Sequence, residues 1–173
     1  MRAYAWRAWT ASLLCLLLPG CAGYKLGSVQ PHFMEGIHTI AVPTFRNETL
    51  IPRIEVLVAD TVIRQIQEDG TYQVASSLDN ADAVLEAEIT QVLRRPSRSV
   101  INDVQATEEF DMTLVIHYKI IRRATGEVID DKNATGTTSF FVSGDVNQDE
   151  IQAIPLAAQS AASHMVTEFG EGW

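Results

Sequence analysis

The sequence predicts an α/β (α+β) two-layer sandwich, a mixed sheet of four to five strands covered by two helices. Two observations lead there. Several segments alternate apolar and polar residues, the mark of a strand with one buried face, while two others repeat apolar residues every three or four positions, as amphipathic helices do. One-faced strands need a covering layer, and two amphipathic helices supply it.

Taken in order, Ile37-His38-Thr39-Ile40-Ala41-Val42 reads as a buried strand closed by Pro43, and Thr44 to Thr49 as a loop. A helix follows from Pro52 to Asp69, since proline suits the first helical position. Ile54, Val58, Val62 and Ile66 form its apolar stripe, widened by Leu57 and Ile63, and Gly70 ends it. Tyr72-Gln73-Val74 is a short strand. Ala83, Leu85, Ala87 and Ile89 then alternate with Glu86, Glu88 and Thr90 along a longer one. Phe110, Met112, Leu114, Ile116, Tyr118 and Ile120 line one face of the next, opposite Asp111, Thr113, His117 and Lys119. Ala124-Thr125-Gly126 turns the chain into a Thr-rich strand from Glu127 to Val142, where Gly136 reads as a bulge. The second helix spans Asp149 to Phe169 with Asn147 as cap; Ile151, Ile154, Ala158, Ala161, Met165, Val166 and Phe169 are its apolar face. Pro155 inside it means either a later start or a kink.

The first residues have a different organisation. Arg2 and Arg7 precede an apolar stretch, Ala11 to Leu18, that ends in Leu18-Pro19-Gly20-Cys21. Such a stretch is too short to span a bilayer, which takes roughly 20 residues, and suits the core of a cleavable signal peptide. Small residues before Cys21 fit a peptidase cleft, and the thiol is what lipid modification requires, so the segment resembles a bacterial lipobox. Ala22 stands where an Asp would resemble an inner-membrane retention signal, which favours the outer membrane. The expected organisation is a signal peptide at 1–20, a lipidated tether at 21–36 and a periplasmic domain at 37–173. Removing residues 1–20 from the 173 leaves 153, a length that suits one domain.

Maturation lowers Lys plus Arg from 13 to 11 against 22 Asp plus Glu, and the net charge from −9 to −11. A domain this acidic repels nucleic acid, so none is expected as a partner. Catalytic signatures are missing: His32, His38, His117 and His164 show no metal-ligand spacing, and no nucleophile elbow or phosphate-cradling glycine loop occurs. Neither an enzyme nor a cofactor or metal is expected. The basic residues are more informative. Arg94, Arg95 and Arg98 gather around Pro96 at the end of one long strand, and Arg122 with Arg123 ends the next. Paired as a hairpin, those strands put the two groups at opposite ends of the sheet. The first group reads either as a solvated strand end or as an anion site, since the guanidinium fork suits the phosphate oxygens of a glycolipid such as lipopolysaccharide.

Cys21-Ala22-Gly23-Tyr24-Lys25-Leu26, Ile40-Ala41-Val42-Pro43-Thr44-Phe45-Arg46-Asn47-Glu48-Thr49, Ala81 to Glu86, Thr125 to Val128 and the closing Gly172-Trp173 resemble the lipopolysaccharide-assembly lipoproteins of the LptE (RlpB) family. Ala22, ahead of Gly23-Tyr24, and Pro155 depart from the pattern. The resemblance implies a role without catalysis: a lipid-anchored protein of the outer membrane that plugs the LptD β-barrel, helps it assemble and takes part in lipopolysaccharide transport to the outer leaflet. It implies lipopolysaccharide contact through basic residues on one edge of the domain, for which Arg94, Arg95 and Arg98 are the nearest candidates. The segment from Ile40 to Thr49 also resembles lipoproteins of the CsgG and LpoB kinds, which would imply a secretion-channel subunit or an activator of a cell-wall synthase. A channel of that type needs additional membrane-spanning hairpins, and no inserted segment here supplies them.

Overall fold

The computed structural model describes residues 30–98, 108–142 and 146–171. The expected signal segment, Cys21 and the start of the tether lie outside the described residues. The chain runs through β1 (Thr39–Ala41), β2 (Arg46–Asn47), α1 (Ile54–Asp69), β3 (Gln73–Val74), β4 (Ala83–Arg98), β5 (Glu108–Arg122), β6 (Glu127–Val142) and α2 (Val146–Glu171). The strands form one mixed sheet of order β3-β1-β4-β5-β6, with β2 also beside β4. This is the expected α+β sandwich with six strands instead of four to five.

The extra strand is β2, in the segment expected to be all loop. Pro43 brings no N–H and interrupts the track that β1 began. The chain then returns to the side of β4, pairing Arg46 with Glu88 and Asn47 with Ile89 in parallel. β1 itself lies parallel between β3 and β4, with Ile40 opposite both Val74 and Ala83. β4, β5 and β6 are long antiparallel neighbours, and Gly126 makes the β5–β6 turn at φ +71°.

The core lies between the sheet and the helices. Leu85, Ile89, Leu114, Ile116, Tyr118 and Ile120 are fully buried on one sheet face, beneath Val58, Val62 and Ile66 of α1 and Ala157, Ala158, Ala161 and Met165 of α2. Each large aliphatic side chain buried this way stabilises the fold by roughly 1.5–3 kcal/mol. α1 starts at Ile54, later than expected. Pro52 sits in the preceding turn, and Arg53 takes the N-cap position in the left-handed conformation, φ +63°. Gly70 ends α1 as predicted, donating its N–H to the Ile66 carbonyl at 3.1 Å.

α2 is already helical at Val146, so Asn147 lies inside its first turn instead of capping it, and Pro155 is accommodated within the helix. Pro155 sits on the exposed side, where the carbonyl left without a helical N–H faces away from the core. Ile151, expected on the apolar face, is 66% exposed, and Ala153, Ala157 and Ala162 are buried in addition to the residues predicted. Gly136 is no bulge; it pairs in register with Leu114. A Cβ there would overlap the Ala157 carbonyl oxygen and the Ala161 amide nitrogen, so the glycine is the place where α2 presses on β6. Bulges fall elsewhere, at Thr90 and Ser97 in β4 and at Ile129 in β6.

Candidate functional site

Among the described residues the sheet's second face carries no helix, and its polar residues converge on the loop around β2. Phe45 is buried and fixes the loop to the core. Asn47 shapes the turn that leads into α1. Its Oδ1 accepts from the Thr49 N–H (2.8 Å) and hydroxyl (2.7 Å), and its Nδ2 donates to the Ile51 carbonyl (2.9 Å) and the Glu55 carboxylate (3.0 Å). Arg46 and Glu48, on either side of Asn47, both reach Glu88 on the outer face of β4.

Arg46, Glu86, Ala87, Glu88, His117 and Lys119 line a shallow basin of about 260 Å³ there. Arg46 Nε is 3.7 Å from Glu88 Oε1, too long for a hydrogen bond, and that buried oxygen has no hydrogen-bond partner among the described residues. Hydrogen bonding to Glu88, then its negative charge, raise the pKa of Glu48 above the ordinary glutamate value, with Arg46 opposing them. Across the sheet, His117 Nε2 and Lys119 Nζ flank Asp131 at 3.4 and 3.3 Å, and His117 Nδ1 is 3.2 Å from Asn133 Oδ1. Acidic, basic and amide groups are thus interleaved on rigid strands. The arrangement suits recognition of a mixed polar surface, because each donor or acceptor is held at a fixed point. Among the described residues, no three His, Cys, Asp or Glu side chains come together to hold a metal ion.

Of the arginines named from the sequence, Arg94 and Arg95 project from opposite faces of β4. The Thr90 bulge shifts the alternation of β4, so Arg94 pairs with Met112 on the helix-covered face and Arg95 with Asp111 on the open one. Arg94 NH1 donates to Glu150 of α2 at 2.6 Å, and its guanidinium lies 5.5 Å from the centre of the Phe110 ring. Arg98 occupies the last position of β4, paired with Glu109. Arg122 and Arg123 do lie at the opposite end of the hairpin. Arg122 donates to the carbonyls of Glu35 and Phe33, and Arg123 pairs with Asp79 at 3.0 Å. Sequence reading missed the basin because Glu86 and Glu88 look like ordinary solubilising residues. The available signal was Arg46 and Glu48 flanking Asn47.

The family model described as LptE, lipopolysaccharide-assembly, matches residues 37–169. The chain belongs to the LptE family. Its match runs from just before β1 to the last turn of α2, so the sheet, both helices and the basin all fall within the LptE domain. No curated protein matches the chain. Among solved structures, a neuraminyllactose-binding hemagglutinin homolog from Helicobacter pylori is 13% identical with a TM-score of 0.52, covering 84% of this chain and 91% of that one. A minor lipoprotein from Acinetobacter baumannii is 12% identical at 0.51, covering 79% and 94%. The protein XCC0632 from Xanthomonas campestris is 14% identical at 0.52, covering 83% and 90%. These likenesses establish that the LptE domain shares its fold with all three.

Proposed function

We propose that this protein is an outer-membrane lipoprotein that plugs an LptD-type β-barrel, helps that barrel assemble and takes part in lipopolysaccharide transport to the outer leaflet. The role involves no catalysis. The observation that carries it is the LptE match over residues 37–169. Residues 1–20 act as the signal peptide, Cys21 carries the lipid, residues 21–36 tether, and residues 37–173 form the domain on the periplasmic side. Two or more acyl chains hold such an anchor stably, at roughly 0.8 kcal/mol per buried CH₂. The open sheet face supports the plug reading. Wide barrels have polar interiors, and the interleaved charges around Glu88 and His117 suit such a wall better than lipid.

Purification of the lipoprotein from outer membranes tests this directly. A large β-barrel is expected to come with it, whereas recovery with a cell-wall synthase would replace the proposal by the LpoB-like alternative. Depletion should lower both folded barrel and surface lipopolysaccharide; normal levels of both would end the assembly role. Lipopolysaccharide contact at Arg94, Arg95 and Arg98 belongs to the same proposal. A phosphate reaching Arg94 has to compete with Glu150, while Arg95 is approached from the opposite face. Replacing all three with Ala is expected to weaken lipopolysaccharide binding, and unchanged affinity would remove these arginines from the site.

A further inference from the structure

An open sheet has edges, and an edge strand presents a row of N–H and C=O groups that another strand can join. Two edges here are protected by familiar means. β3 is only two residues long. Past Thr90, the free side of β4 has bulges at Thr90 and Ser97, a proline without an N–H at position 96, and the charges of Arg94, Arg95 and Arg98. β6 is different. It ends the sheet, runs for 16 residues, and carries neither charge nor proline from Asn133 to Val142. Such a Thr- and Phe-containing stretch has the composition that favours strand addition.

Here α2 supplies the protection. Ala157 and Ala161 press on Gly136, and Ser160 and His164 share their side of the helix at three- and four-residue spacing. In an antiparallel ladder the N–H and C=O of one residue point the same way, and successive residues alternate. Thr135 and Thr137 both direct theirs away from β5. The Thr137 N–H donates to Ser160 Oγ at 3.2 Å, and His164 Nδ1 is 2.8 Å from the Thr135 carbonyl oxygen. A carbonyl only accepts, so that nitrogen carries the proton. Further down the same track, the Asp131 N–H donates to Asp130 Oδ1 at 3.1 Å. We propose that Ser160 and His164 are edge guards, holding shut a strand-accepting side of β6 that, once open, pairs with the same edge of a second copy of this chain. Guarded, the chain stays a single copy, as a barrel plug must. The inference itself rests on the edge geometry and goes beyond the plug reading.

Amide hydrogen exchange and sedimentation of the full chain in detergent micelles test the guards. In the wild type the Thr137 amide is expected to exchange slowly, although it belongs to an edge strand. S160A should speed that exchange by about tenfold, while Ile116, inside the sheet, keeps its rate and so shows that the variant is folded. S160A/H164A should self-associate at a concentration about tenfold lower than the wild type. S160T/H164N keeps a hydroxyl oxygen and an N–H donor at the two positions and should remain a single copy. Fast exchange at Thr137 in the wild type overturns the proposal. So does an S160A/H164A protein that associates no more readily than the wild type, or an S160T/H164N protein that associates as readily as S160A/H164A.

Discussion

At the residue scale, Asp82 and Glu48 have opposite relations to pH. Asp82 Oδ2 accepts from the His38 and Thr39 N–H groups and the Thr39 hydroxyl, each at 2.9 Å, tying the start of β1 to the start of β4. The His38 amide, then that of Thr39, holds its pKa below the ordinary aspartate value. A lowered carboxyl pKa contributes stability that is complete above the ordinary value and disappears as pH falls through the lowered one. D82A should therefore lower stability by about 1 kcal/mol at neutral pH, and the gap to wild type should close in strong acid. Glu48 behaves the other way: its raised pKa means the ionised form opposes folding, and protonation relieves it. E48Q is expected to raise the melting temperature at pH 7 and to match wild type below the ordinary glutamate value. Thermal melts across pH check both, and a D82A deficit that persists in acid would refute the assignment to charge.

At the element scale, the helix–sheet contact turns on Gly136. G136A adds one methyl against the backbone of α2, which has no side-chain end to swing aside. Overpacking of this kind costs about 3 kcal/mol, and A161G should not rescue it, because the Ala157 carbonyl and Ala161 amide remain. Denaturant unfolding of the single and double variants measures this. The same element shows what sequence conveys. The stripes of α1 and the alternation of β5 were legible because burying one face imprints a period on the chain. Gly136 was not, since its partner lies in α2, far along the sequence, and a lone glycine in a strand equally suits a bulge. β2 was not, because a two-residue strand has no period and is held by backbone pairing with Glu88 and Ile89. In β4, Arg94 and Arg95 are chain neighbours and so point to opposite faces, and the extra residue at Thr90 decides that Arg94 is the one on the helix side.

At the scale of the whole molecule, order along β4 should be graded. At Ala83–Val84 and again at Glu88–Ile89 the strand has neighbours on both sides, and from Ala83 to Ile89 alternate side chains lie in the core. Past the Thr90 bulge β5 is its only strand partner among the described residues, and Leu93, Arg94 and Arg95 are exposed. Local opening tracks lost contacts, so amide hydrogen exchange should be slow at Leu85–Ile89 and faster at Leu93–Arg95. Uniform protection along β4 would contradict this gradient. The exposed end is also where the candidate lipopolysaccharide contacts lie, whereas the basin sits on the rigid half.

The position of β1 has a consequence for how the chain reaches its native state. β4, β5 and β6 pair with sequence neighbours through short or direct connections, whereas β1 must find Val74 and Ala83 after the intervening α1 has been made. Closing long loops is slow because their entropy is lost before the contact forms. The three-stranded meander is thus the natural early scaffold, and insertion of β1 between β3 and β4 the late step. If the chain is anchored at Cys21 as proposed, the segment nearest the anchor is the last to find its place.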